Sequence, residues 1–268
     1  NLSYLRPNYA KAVADVVKEC GGKPFLTDCN TLYPGSRKNA LEHLDCANIN
    51  GFNTITTGCQ IIIGDGLRGT DDITVTVRNG EYCKEAYIGR AVMDADIFIS
   101  LTHFKGHEST GFGGAIKDIC KGCGRCIGAC AFDAIENQNW DANEILGRKM
   151  AEYSQAVCDG RPTFHISLVR DISPNCDCHG ENDAPILPDV GIFASFDPVA
   201  LDQACVDACL HATPMPNSQL SDNLADPHWH HHHDNFLDSN PNVRWKETLE
   251  HAEKIGLGTR EYELIKMK

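Results

Sequence analysis

Residues 96–118, DIFISLTHFKGHESTGFGGAIKD, decide the fold of this 268-residue chain. The opening run at 96–101 (DIFISL) is apolar enough to be buried on both faces, as a central parallel strand requires. A glycine-rich stretch bearing histidine and lysine follows at once, at 102–118. Open α/β sheets bind ligands beyond the carboxyl ends of their strands. His103, Lys105, His107 and Lys117 are therefore expected at a ligand site, and Gly111, Gly113 and Gly114 are expected to turn backbone N–H groups toward an anion. His103, His107 and Lys117 carry the catalytic expectation, Lys105 and the three glycines the cofactor-binding one. The bland competitor is a glycine turn required by sterics alone.

Working outward, helix and strand patterns alternate. Val13, Val16, Val17 and Cys20 recur at helical spacing, and Gly21-Gly22 supplies a left-handed stop. A short strand is expected at 25–27, a helix at 36–47 with Ala40, Leu41, Leu44 and Ala47 on one face, and strands at 61–63 and 73–77. Further on, the pattern predicts a helix at 143–157, strands at 164–169 and 190–194, and a helix to Leu210 opened by Asp197-Pro198. The fold class this implies is α/β, with a largely parallel sheet flanked by helices. Because Asn1 is followed almost directly by helix, a first strand is expected ahead of the numbered residues.

The run CKGCGRCIGAC places Cys120, Cys123, Cys126 and Cys130 in Cys-x2-Cys-x2-Cys-x3-Cys order, the spacing that holds a 4Fe-4S cube. Gly122, Gly124 and Gly128 let the backbone wrap closely around inorganic sulfur. A zinc ribbon would take two separated Cys-x2-Cys pairs instead. The fourth iron leaves three options open: Cys130, a remote cysteine, or a second motif. The run starts directly after Ile119 without a linker, so a missing segment is expected at that junction. The resulting division is a first part of the α/β domain at 1–119, a ferredoxin-like 4Fe-4S module at 120–137, and the remainder of the α/β domain at 138–268.

Two further stretches carry ligand chemistry. In NCDCH, residues 175–179, Cys176 and Cys178 alternate so that both thiols and His179 could face one metal or cluster, a candidate second site; a redox-active pair is the alternative. In DPHWHHHHDN, His228, His230, His231, His232 and His233 form an imidazole cluster with affinity for nickel, zinc or copper. Accidental affinity of an exposed loop is the expected reading there. Cys20 reads as a small buried apolar residue, and Cys205 and Cys209, one helical turn apart, as packing.

With 42% hydrophobic residues the chain can bury a full core. Its formal charge of −13 argues against nucleic acid and anionic membranes as partners. No apolar stretch approaches a spanning helix and no signal peptide opens the chain. Fourteen cysteines without a compact disulfide pattern, several of them cluster ligands, point to reducing conditions. The expected location is the cytoplasm of an anaerobic cell.

SYLRPNYAKAV, GGKPFLTDCNTLYPGSR, GHESTGFGGAIKDI, NCDCHGENDAPILPDVGIFASFDPVALDQA and WKETLEHAEKIGLGTREYELI together resemble the uncharacterised iron-sulfur centre proteins, a family of unknown function that carries a ferredoxin-like insert. The likeness spans most of the chain. It implies two consecutive cysteine runs after GFGGAIKDI, each lending its fourth cysteine to the other cube, hence two clusters in the intact protein. The segment GFGGAIK at 111–117 is also similar to the glycine-rich segment of nickel-dependent lactate racemases. That likeness implies a nickel or other cofactor at Lys117 with His103 or His107 beside it.

The function expected from all of this is a 4Fe-4S oxidoreductase or electron-transfer protein serving a ligand near residues 103–117. A racemase-like isomerase and a non-enzymatic structural cluster protein are the alternatives. The partners expected are a redox protein such as a ferredoxin or a reductase and a small-molecule ligand, with a homo-oligomer left open.

Overall fold

A computed structural model describes residues 4–31, 35–119, 143–177 and 184–267. Helix α1 (Pro7–Glu19) opens on proline, whose missing N–H is no loss in the first turn, and ends where Gly21 turns left-handed at φ 84°. Its buried face is Ala10 and Ala14, flanked by half-buried Val13 and Val17. The expected stripe is therefore displaced by one turn, with Val16 and Cys20 exposed. Cys20 is a surface thiol and not the buried residue its spacing implied. Small alanines let this helix approach its neighbour closely, and the larger valines fall at the margin.

Strands β1 (Phe25–Asp28) and β2 (Gln60–Ile63) pair in parallel, Phe25 against Gln60 through Asp28 against Ile63. Between them run α2 (Ala40–Ile49) and α3 (Thr54–Thr57). The helix expected from residue 36 starts at Ala40 because the Asn39 side chain accepts the Leu41 and Glu42 amides and fixes the cap there. Its buried residue is His43, while Leu41 faces solvent. β3 (Asp72–Thr76) and β4 (Glu85–Gly89) form an antiparallel hairpin, followed by α4 (Arg90–Met93).

The largest sheet has the order β6-β5-β7-β8. β5 (Phe98–His107) and β7 (Thr163–Val169) are its parallel centre, with Phe98 opposite Thr163 and Phe104 opposite Val169. β6 (Gly111–Gly113) pairs antiparallel to β5 on one edge and β8 (Gly191–Ser195) antiparallel to β7 on the other. The chain is mixed α/β; parallel pairing is confined to β1-β2 and β5-β7 among the described residues. The sequence favoured a largely parallel sheet because a short apolar run looks alike in either direction, whereas connection length decides. Residues 170–190 leave β7 and return to it without an intervening helix among those described, so β8 comes back antiparallel.

Helices α5 (Ala115–Ile119) and α6 (Asn143–Cys158) connect β6 to β7. α7 (Pro198–Leu210), α8 (Gln219–Ala225), α9 (Asn235–Ser239) and α10 (Trp245–Ile255) follow β8. Asp197 caps α7, its Oδ1 accepting from Val199 at 2.8 Å and Ala200 at 3.1 Å. The core gathers where the sheet meets α5, α7 and α10. Phe104 stacks on Phe112 with centroids 4.9 Å apart, and both rings pack on Phe236. Each such buried side chain contributes about 1.5–3 kcal/mol. Cys205 and Cys209 lie in this core, and burial pushes Cys209 up to about 12 and Cys205 up as well, so both are packing thiols. Between the central strands, His165 meets Ser100 Oγ at 2.9 Å, and burial pushes its pKa down to about 4.

Candidate functional site

The strand expected to end at Leu101 runs on to His107. His103, Lys105 and His107 therefore belong to β5 and not to a loop, and the pleat sends all three to one face while Phe104 enters the core from the other. All three are buried. Buried cationic groups need partners, and the segment after β7 brings them. Asp177 Oδ2 lies 2.7 Å from His103 Nδ1 and 3.3 Å from Lys105 Nζ. The other ring nitrogen of His103, Nε2, is 2.7 Å from the Arg170 carbonyl. Both nitrogens thus face oxygen atoms.

His107 is held differently. The amides of Ser109 and Thr110 donate to its Nδ1 at 3.1 and 3.3 Å, which closes the β5-β6 turn. Glu108 accepts from the Cys176 amide at 3.0 Å. Burial works to raise its pKa, but His107 and that amide outweigh it and hold the carboxyl below its ordinary value. Cys176 is buried, with its Sγ 3.9 Å from Lys117 Nζ.

The glycines act by leaving space. A Cβ on Gly113 would lie 3.1 Å from Lys105 Cε and Nζ and 3.1 Å from Lys117 Cδ, so the two lysines pass over this residue side by side. A Cβ on Gly114 would meet Asp202 Oδ1 at 2.4 Å. That carboxylate, reaching over from α7, accepts from the Ala115 and Ile116 amides at 2.7 and 2.9 Å. The anion seen by the start of α5 is thus one of the chain's own side chains. Gly111, at φ 89°, turns the chain into β6.

On the His103 side lies a cleft of about 250 Å³ lined by Tyr4, Arg6, Tyr9, His103, Arg170 and Asp171. Arg170 donates to the Tyr9 hydroxyl and pairs with Asp171 at 3.1 Å. Asp171 sits at φ 46°, a left-handed conformation that bends the chain out of β7 beside the cleft.

The structure places His103, Lys105 and His107 along one face of β5 and Lys117 over Gly113 beside Cys176. Glu108, Asp177, Asp202 and Arg170 were missed. Asp177 stands between the two cysteines of NCDCH, and reading that segment for thiols alone concealed its carboxylate. Cys120, Cys123, Cys126, Cys130, Cys178 and His179 lie outside the described residues. Among the described residues no group of three or more His, Cys, Asp or Glu is arranged to hold a metal ion, and no helix is long and apolar enough to cross a membrane.

Fold and site together define a mixed α/β protein whose central strand carries a buried row of histidine and lysine side chains beside a polar cleft. Residues 1–207 match the family model described as a domain of unknown function, DUF362, and the chain belongs to that family. Searches of curated proteins and of solved structures return no match.

Proposed function

We propose that the chain is an iron-sulfur protein of the oxidoreductase or electron-transfer type, in which a 4Fe-4S cluster on Cys120, Cys123, Cys126 and Cys130 serves a small molecule bound beside the row His103, Lys105 and Lys117. The observation that carries this reading is adjacency. Lys117 lies on α5 next to Cys176, and Cys120 follows it by one helical turn's length of chain. The donor chemistry fits the group: four closely spaced thiols favour iron-sulfur ligation over hard cations. When bound, such a cluster supplies single electrons at a potential set by its surroundings.

The chain's own residues supply the rest. The Lys105 ammonium and the Lys117 stem meet over Gly113, so two lysines favour negative charge arriving at this face. His103 lines the cleft with its Nδ1 held against Asp177, which fixes the ring where a bound molecule would meet it. Arg6, Arg170, Tyr4 and Tyr9 give the cleft donors for a polar ligand. The cytoplasm, a redox protein as donor or acceptor, and a second cluster in a longer cysteine segment belong to the same proposal.

The test is anaerobic purification followed by iron and sulfide analysis and EPR of the reduced protein. At least four irons and four sulfides per chain with a reducible signal are expected, lost in a Cys123→Ser/Cys126→Ser variant. Less than one cube in the unmodified protein sinks the reading. A full cube whose loss unfolds the chain, with no electron passed to any acceptor, would make the cluster structural.

A further inference from the structure

We propose that His230 and His232 chelate a divalent transition metal on the connection between α8 and α9. Their ring centroids are 4.9 Å apart, with planes at 85°. Two imidazoles this close can each bring one nitrogen to a shared ion at about 2.0–2.1 Å. Residues 230–232 have no helical turn, and it is the alternate rings of His230 and His232 that meet. His233, at φ 55°, turns the chain away before α9.

The pair is presented by a loop pinned at both ends. Asp226 Oδ1 accepts the His228 amide at 2.9 Å, and Asp238 Oδ1 accepts the His232 amide at 2.7 Å. Asp234 caps α9 through the Phe236 and Leu237 amides and accepts the Trp245 indole N–H at 3.0 Å. Asp234 and Asp238 are buried in these duties. Asp234 and Asp238 are thus committed to the fold, and the donors nearest the pair at the surface are imidazoles. Imidazole selects copper, nickel and zinc over calcium and magnesium. Two protein ligands leave the remaining positions to water, so the site captures an ion without enclosing it, and copper should bind more tightly than nickel.

This site is independent of the cysteine run, and its test separates the two. The full chain, stripped of loosely held metal with a chelator, is titrated with nickel chloride by calorimetry, with iron and sulfide measured in parallel. One nickel per chain is expected. His230→Ala/His232→Ala should weaken it at least tenfold, and His228→Ala/His231→Ala by less than twofold, with iron content and melting temperature unchanged in both. Equal loss in the two double variants would mean that any pair of the five imidazoles suffices, and unchanged binding in the first would place the metal elsewhere; either result overturns the proposal.

Discussion

Two carboxylates, the buried Glu152 on α6 and the half-buried Asp177 after β7, solve the same electrostatic problem with opposite consequences. Glu152 is fully buried, and its oxygens accept three consecutive backbone amides: Glu81 at 2.7 Å, Tyr82 at 3.1 Å and Cys83 at 2.6 Å. His251 of α10 approaches it at 2.9 Å. The β3-β4 turn, α6 and α10 are thereby tied at one point. Asp177 takes side chains instead, His103 and Lys105, on a segment that borders the cleft face of β5. A carboxylate saturated by backbone amides fixes the fold. One saturated by movable cationic side chains fixes a site, because those side chains can exchange it for a ligand.

The sharpest way to break this comparison is Glu152→Gln. The carboxamide cannot accept from every amide and presents its own N–H groups to some of them, so a loss of about 3 kcal/mol is expected in denaturant unfolding. The pH dependence has a definite sign. Burial would raise the Glu152 pKa, but the Tyr82, Cys83 and Glu81 amides and the His251 hydrogen bond outweigh it and leave it lowered. A carboxyl whose pKa is lower when folded adds stability above its unfolded value, and that contribution is lost as pH falls through the folded one. Stability of the native chain should therefore drop with acid below the ordinary glutamate value of 4.5, and the drop should be shallower in Glu152→Gln. Parallel acid limbs in the two proteins would remove Glu152 from its role as a tie.

Asp177→Asn should cost less stability, about 1–2 kcal/mol, since the position is partly open to water and the amide keeps one acceptor. Its effect on the site should be larger: the His103 imidazole loses the partner that fixes its Nδ1 proton. NMR of the ring nitrogens should show that proton exchanging faster with solvent, with the hairpin β3-β4 unperturbed. If Asp177→Asn unfolds the chain as readily as Glu152→Gln, the contrast between fold carboxylate and site carboxylate fails.

The same contrast explains what could be read in advance. The run at 98–101 announced β5 because apolar residues on both faces admit one reading, and Asp197-Pro198 announced α7 because the cap is local chemistry. The continuation of β5 through HFKGH was hidden, since polar residues read as loop unless the distant partner that satisfies them is known. That partner, Asp177, lies 74 positions from His103 in the chain. The displaced face of α1 has a similar cause: Ala10 and Ala14 are too small to dominate a hydrophobic pattern, yet they form the contact. The cationic row was thus legible as residue types and spacing, while its geometry depended on long-range pairing that no local pattern encodes.

The mildest prediction probes how the two lysines share one residue's space. Gly113→Ala would add a methyl 3.1 Å from both Lys105 and Lys117, a separation tighter than ordinary contact but facing flexible side chains. The cost should stay below about 1 kcal/mol, since small overpacking is relieved by a few tenths of an ångström of side-chain movement. The displacement falls where the two lysine side chains meet, however. Lys105 is held by Asp177 at 3.3 Å and Lys117 lies 3.9 Å from Cys176 Sγ, so a shift of Lys117 is read at the Cys176 thiol. A Gly113→Ala chain with near-native melting but altered thiol reactivity at Cys176, measured in a background lacking the exposed Cys20, would place the coupling between these elements at Gly113. Unaltered reactivity would show that the lysines act separately and that the row on β5 functions without α5.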